Sequence, residues 1–170
     1  MLTPEQTRAA ELNKQATALK KAGDINGAVA VLQQIKDDAG PLYQETRLAK
    51  FLQQAGRVDE ALAEIQWLLD HSHVWAQTMF GHQPVAVVQC QRAVWCEHIH
   101  ADAALICKRA KRPNQQAHHE ELQQRYGAIR QRLRPLADAD MKAKRKAFEA
   151  AKTQGPGALS RFIASQVRHT

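Results

Sequence analysis

The side chains with the most distinctive chemistry are two cysteines and a histidine, Cys96, His100 and Cys107, in a segment predicted to be helical. At about 100° per residue the three share one face of a helix. Cys96 and His100 are four residues apart, a spacing that lets two side chains hold one metal ion. The remaining ligands of a zinc tetrahedron would come from His98, from Cys90, or from the pair His71 and His73.

Distance argues against such a zinc site. Cys107 lies about 10 Å along the helix axis from His100, too far for both to bind one ion. The chain contains no Cys-x-x-Cys pair. We therefore interpret the cysteines as small buried apolar residues, and we predict neither a metal site nor any other cofactor.

Other catalytic arrangements are not evident in the sequence. The serines Ser72, Ser160 and Ser165 lack the surroundings of a nucleophile, so the eight histidines have no triad to complete. The eight glycines fall singly at turns or flank Pro156, so no phosphate-cradling loop is formed. We predict no catalytic residues and a protein that is not an enzyme.

Composition favours a folded helical protein. The 170 residues are 44% hydrophobic and 24% charged, enough for one large domain or two small ones. Abundant Ala, Gln, Leu, Lys and Arg favour helices, so we predict an all-α fold. An odd number of cysteines, three, fits a reducing compartment. With no apolar run of roughly 20 residues and no signal-peptide pattern at the N-terminus, we expect a cytoplasmic protein that makes no membrane contact.

The first part of the chain repeats itself. Gly23 and Gly56 are 33 positions apart, and so are Ala28 and Ala61 within the helices that follow. Three further pairs keep the same register: Ala16 with Ala49, Leu19 with Leu52, and Leu32 with Ile65. The pattern predicts two helical hairpins in tandem, each with a glycine at the turn.

In residues 19–28 and 52–61, Leu-Lys-Lys-Ala-Gly-Asp-Ile-Asn-Gly-Ala and Leu-Gln-Gln-Ala-Gly-Arg-Val-Asp-Glu-Ala, the chain resembles the tetratricopeptide repeat family. The resemblance covers about residues 8–73. It implies antiparallel helix pairs whose first helices line a concave groove. The groove positions it implies are Asn13, Thr17, Lys20, Tyr43, Arg47 and Lys50. Cations and an amide in a groove suit an acidic peptide or a terminal carboxylate, which favours an adaptor that binds another protein.

Four segments are predicted along the chain. Residues 1–73 form the repeats, opening with a Thr3 cap, and residues 74–112 form an apolar connector, 74–84, followed by a capping helix with two apolar faces. Residues 113–153 form a basic helical segment of two helices, the first ending at Pro135 and the second running from about Asp138 to Lys152. Residues 154–170 form a linker and a short amphipathic helix carrying Leu159, Phe162, Ile163 and Val167.

Charge supports an alternative function. Residues 1–85 hold 8 Lys and Arg against 10 Asp and Glu, whereas residues 86–170 hold 16 against 7. The cations of the second half form three clusters that are candidates for phosphate binding: Lys108, Arg109, Lys111 and Arg112; Arg130, Arg132 and Arg134; Lys142, Lys144, Arg145 and Lys146. A nucleic-acid-binding accessory protein, with DNA or RNA as partner, is therefore the second hypothesis. Solvated helix faces are the simpler interpretation of the same clusters.

The first helix of the basic segment also bears on oligomeric state. Leu122, Tyr126, Ile129 and Leu133 follow one another at spacings of 4, 3 and 4 residues. This narrow apolar seam is typical of coiled coils, so a homodimer that presents a basic surface is a further alternative.

Overall fold

The computed structural model describes the backbone of residues 4–167 and the side chains of residues 7–165. Within that range the fold consists of seven α-helices and no strand, which confirms the all-α prediction. The helices are α1 Pro4–Lys21, α2 Ile25–Ala39, α3 Arg47–Gln54, α4 Val58–Phe80, α5 Val85–Arg109, α6 Pro113–Thr153 and α7 Pro156–Val167, with a short 3₁₀ turn at Gly40–Leu42. The predicted Thr3 cap and the side chain of Val167 lie outside the described residues.

The turn after α1 has a defined hydrogen-bonding pattern. Gly23 has a φ of 86°, the amide of Asp24 donates to the carbonyl of Leu19 at 2.9 Å, and the amide of Gly23 donates to Lys20 at 3.1 Å. The same two bonds recur 33 residues later at Gly56, whose φ is 79°. This is the Schellman motif, in which a residue with positive φ ends the helix. The predicted glycine conformation is therefore confirmed at both turns.

A third turn of this kind joins α5 to α6 without a glycine. Lys111 has a φ of 55°, and its amide donates to the carbonyl of Lys108 at 3.2 Å. The amide of Arg112 donates to Cys107 at 3.0 Å, which completes the motif. Helices α5 and α6 thus form a third hairpin, with longer helices than the first two.

The hairpins stack in chain order, and most of the core lies between them. Ala16, Ala28, Ala49 and Ala61 have no exposed surface, as expected if small residues let the helices approach closely. Larger side chains fill the space between the hairpins, among them Leu32, Leu48, Ile65, Leu68, Ile99 and Ile106. Side-chain hydrogen bonds link α1 to α3, and the start of α3 to α5.

The predicted connector at residues 74–84 is wrong for most of its length. Helix α4 continues to Phe80, and only residues 81–84 link it to α5. No glycine or proline interrupts residues 58–80, so nothing in the sequence ends the helix earlier. Trp75 lies on this added part of α4, with its ring 5.5 Å from Phe80 and 5.9 Å from Trp95 of α5. The extra turns therefore extend the contact between α4 and α5.

The predicted helix end at Pro135 is also wrong, because α6 is one helix of 41 residues. On either side of the proline, Leu133 and Ala137 pack against Val87 and Cys90 of α5. This burial offsets the hydrogen bond that Pro135 does not donate. The two basic clusters flanking Pro135 consequently lie on one continuous helix.

Helix α5 packs against α3, α4 and α6, as predicted for a helix with two apolar faces. The seam on α6 is used within the chain: Leu133 packs on α5, and Tyr126 stacks on His100. Gln154 and Gly155, with a φ of 101° at the glycine, separate α6 from α7. Helix α7 then folds back on α6, with the rings of Phe148 and Phe162 5.9 Å apart.

Candidate functional site

The guanidinium of Arg47, at the start of α3, is fixed by residues of α1. Its Nη1 donates to Asn13 Oδ1 at 2.8 Å, and its Nη2 donates to Thr17 Oγ1. Thr17 Oγ1 in turn donates to the carbonyl of Asn13 at 2.8 Å. Every acceptor is a neutral oxygen, so these bonds orient the Arg47 charge without neutralising it.

A second cation lies beside this arginine. Lys20 Nζ is 4.6 Å and Arg47 Cζ is 5.2 Å from the centroid of the Phe51 ring, which is almost fully buried. Neither cation forms an ion pair with any residue that the structure describes. We call Asn13, Thr17, Lys20, Arg47 and Phe51 the Arg47 site. It holds two positive charges around one ring, neither of them paired with a carboxylate in the described part of the chain.

Lys50, unlike Lys20 and Arg47, is paired with a described carboxylate. Its Nζ lies 2.7 Å from Asp102 Oδ2 on α5, and Thr46 Oγ1 donates to the same oxygen at 2.6 Å. His98 Nε2 is 3.5 Å from that carboxylate. Asp102, which the sequence analysis did not single out, therefore neutralises Lys50 and ties α3 to α5.

The prediction that Tyr43 lines a groove is wrong. Its side chain is 3% exposed, and its ring lies 6.4 Å from that of Trp67, in a tilted arrangement. The hydroxyl has no hydrogen-bond partner among the described residues, and burial raises the Tyr43 pKa. The residue lies in the loop between the 3₁₀ turn and α3, and its ring contacts Trp67 of α4. Tyr43 is therefore a core residue that a partner does not reach.

The three basic clusters each have one cation bonded to the rest of the protein. Arg112 pairs with Asp59 at 2.6 Å, and Arg130 pairs with Glu97 at 2.7 Å. Lys144 Nζ donates to the carbonyl of His82 at 2.6 Å. These three therefore already have a partner within the protein. The other eight are exposed and form no ion pair in the described part of the chain: Lys108, Arg109, Lys111, Arg132, Arg134, Lys142, Arg145 and Lys146.

The face of α5 that carries Cys96, His100 and Cys107 packs against α6. All three side chains are buried, and Nδ1 of His100 lies 3.1 Å from Nδ1 of His119. Tyr126 stacks on the His100 ring with centroids 5.5 Å apart. Burial is the main cause that lowers the His100 pKa to about 4, and it also lowers the His119 pKa. In residues 4–167 no group of three or more His, Cys, Asp or Glu side chains is arranged to hold a metal ion.

Two further observations bear on function. None of the helices in the described range is both long enough and apolar enough to cross a bilayer. No protein-family model, curated protein or solved structure matches this chain. Function is therefore inferred from the contacts and charges of the chain itself.

Proposed function

We propose that the protein is a non-enzymatic helical-repeat adaptor that binds an acidic peptide segment of another protein at the Arg47 site. The observation that carries this proposal is the environment of Arg47. Its guanidinium is held in one orientation by Asn13 and Thr17, yet no described carboxylate neutralises it. An immobilised, uncompensated cation is a ready binding site for an anion.

The chemistry of the two cations favours a carboxylate. The planar guanidinium of Arg47 carries five N–H donors and matches a carboxylate in a bidentate geometry. Lys20, whose Nζ lies 4.6 Å from the centroid of the same Phe51 ring, adds a second cation beside Arg47. Two like charges beside one ring repel each other, and an anion bound close to both relieves that repulsion.

The architecture is suited to an extended peptide. Helices α1, α3 and α5 follow one another along one side of the stack, joined by Arg47 to Asn13 and by Lys50 to Asp102. The resemblance to tetratricopeptide repeats supports peptide binding on this side, because the first helices line the groove in that family. Since Lys50 is already paired, we expect Lys20 and Arg47 to supply the charge that attracts the peptide.

Fluorescence anisotropy tests this proposal with a labelled peptide of about ten residues in which Asp and Glu are interspersed with Leu. A second peptide, with Asn and Gln in place of the acids, reports the charge dependence. We expect the acidic peptide to bind more tightly, and Arg47→Gln and Lys20→Gln each to weaken it by roughly 10-fold, because a charged hydrogen bond contributes about 1.5–3 kcal/mol. Amidation of the peptide C-terminus distinguishes a terminal carboxylate from side-chain carboxylates.

The matched control is Lys14→Gln, which removes an exposed lysine on α1 that forms no described ion pair. It should leave the peptide affinity unchanged. Equal affinities for the acidic and neutral peptides, or equal losses in Lys20→Gln and Lys14→Gln, would contradict the proposal. Thermal unfolding of Arg47→Gln distinguishes loss of the contact with the peptide from destabilisation of the α1–α3 interface.

A further inference from the structure

We propose that the outer face of α6 binds the phosphate backbone of duplex nucleic acid. The binding surface is a row of four cations, Arg125, Arg132, Lys142 and Lys146, which we call the outer row. The inference goes beyond the adaptor function, because it uses a different helix and different residues from those of the Arg47 site.

The geometry of α6 places these four side chains together. At about 100° per residue they fall within an arc of about 100° on the helix surface. The residues that pack on α5, Leu133 and Ala137, lie on the other side of the helix. All four cations are exposed. At about 1.5 Å per residue the row extends over about 30 Å. Because Pro135 does not break α6, the row lies on a single helix.

Between its first and last cation the charge of this arc is of one sign. From residue 125 to residue 146 its other members are uncharged, namely Ala128, Pro135, Ala139 and Ala143. Asp138 and Glu149 lie outside the arc, whereas Glu121, one turn before Arg125, lies on the same side of the helix. None of the four cations forms an ion pair with a described residue. The positive charge is therefore available to a partner.

Contacts on the opposite side hold the helix in place. Arg130 pairs with Glu97 of α5, and Lys144 donates both to the carbonyl of His82 and to Gln83 Oε1, the latter at 3.1 Å. These bonds and the apolar contacts with α5 fix the orientation of α6. The outer row is consequently presented by a helix whose other side is held by the rest of the protein.

The residues of the arc indicate which class of polyanion it binds. Single-stranded nucleic acids are bound by aromatic side chains that stack on bases, but Tyr126 faces α5 and the arc contains no aromatic residue. Membrane-surface helices insert large apolar side chains, which the arc also lacks. A straight row of about 30 Å is close to one turn of a duplex, about 34 Å, so it fits a rigid duplex backbone.

Fluorescence anisotropy with labelled DNA and RNA duplexes of about 24 base pairs, at about 50 and 200 mM salt, tests the inference. The wild-type protein should bind a duplex, and its affinity should fall with salt, with a logarithmic slope of about −0.9 per phosphate contact. The variant carrying Arg125→Gln, Arg132→Gln, Lys142→Gln and Lys146→Gln should bind at least about 10-fold more weakly at the lower salt. Its slope should be flatter by about three to four.

The control variant carries Lys14→Gln, Lys21→Gln, Lys152→Gln and Arg161→Gln, which remove four exposed cations away from the outer row. Its net charge equals that of the test variant, and it should retain most of the affinity. Equal losses in the two variants, or no duplex binding by the wild type at about 50 mM salt, would overturn the inference. Binding to vesicles with about 30% phosphatidylserine but not to either duplex would also overturn it. Arg47→Gln should keep its duplex affinity, so failure of the adaptor proposal is distinguishable from failure of this one.

Discussion

His100 of α5 and His119 of α6 face each other with their Nδ1 atoms 3.1 Å apart, inside the most extensive helix interface of the described chain. At this distance one Nδ1 carries the proton and donates, while the other accepts. His118 lies next to His119, with ring centroids 5.6 Å apart, and Tyr126 covers His100. The pair is satisfied only while at least one of the two rings is neutral.

The first prediction concerns acid stability. An unfolded histidine has a pKa of about 6.5, and the folded His100 pKa is about 4. Below pH 6.5 the unfolded chain therefore binds a proton at His100 that the folded chain does not. The free energy of unfolding is highest above pH 6.5, and this difference in protonation lowers it by roughly 2–3 kcal/mol as the pH falls toward 4. Urea unfolding at several pH values measures the free energy.

The comparison that isolates this effect is His100→Gln, whose stability should depend less on pH between about 6.5 and 4 than that of the wild type. His73→Gln, at an exposed position, is the matched control and should follow the wild type. If the free energy of unfolding changes with pH equally in the wild type and in His100→Gln, protonation of His100 does not destabilise the folded protein.

The second prediction concerns Lys111, which adopts a φ of 55° at a position where the other two hairpins have glycine. A non-glycine residue in the left-handed region costs about 1–2 kcal/mol. Lys111→Gly should therefore stabilise the protein by about 0.5–1 kcal/mol, after the higher entropy of glycine in the unfolded chain. Lys108→Gly, inside α5, removes the same charge and should destabilise by about 1 kcal/mol. A Lys111→Gly variant less stable than wild type would contradict this account of the turn.

The third prediction concerns the glycines of the first two turns. Gly23→Val and Gly56→Val should each destabilise by about 1 kcal/mol or more, because valine strongly disfavours a positive φ. A Cβ atom at either position meets no atom within 4 Å, so the cost comes from the backbone and not from a clash. Gly157→Val, in α7, also meets no atom within 4 Å but has no positive φ, and should be nearly neutral. Chemical denaturation of the three variants measures the change in the free energy of unfolding and so distinguishes backbone strain from packing as its cause.

The fourth prediction concerns metal. We expect protein dialysed against a chelator-free buffer to contain no stoichiometric zinc, because a structural site needs four ligands and the His100–His119 pair supplies two. Elemental analysis by mass spectrometry measures the zinc content. A stoichiometric signal that disappears in Cys96→Ala would show that the buried cysteine takes part in a metal site.

Local features of the fold could be predicted from the sequence. The 33-residue register located Gly23 and Gly56, and Asp24 caps α2 by accepting from the amide of Gly27, as a capping residue should. Failures came where tertiary packing overrides a local signal. Pro135 was predicted to end a helix, but burial of its neighbours on α5 keeps α6 continuous.

The candidate site was less predictable, because charge pairing depends on helices distant in sequence. The resemblance to tetratricopeptide repeats implied that Asn13, Thr17 and Arg47 share one side of the repeats, and the structure brings these three together. No sequence pattern indicated that Asp102, 52 residues beyond Lys50, would neutralise it. The sequence indicated in part that Tyr43 does not line the groove, because a residue just after a proline-containing turn need not lie on the helix that follows.

NMR chemical-shift mapping shows whether an acidic peptide binds between α1 and α3. The ¹⁵N-labelled chain would be titrated with the acidic peptide, and amide shifts would be compared along the sequence. We expect the largest changes at Lys20, Arg47 and Phe51, with little change at Arg132 and Lys146. Shifts concentrated on α6, or spread evenly over all exposed lysines and arginines, would contradict the account.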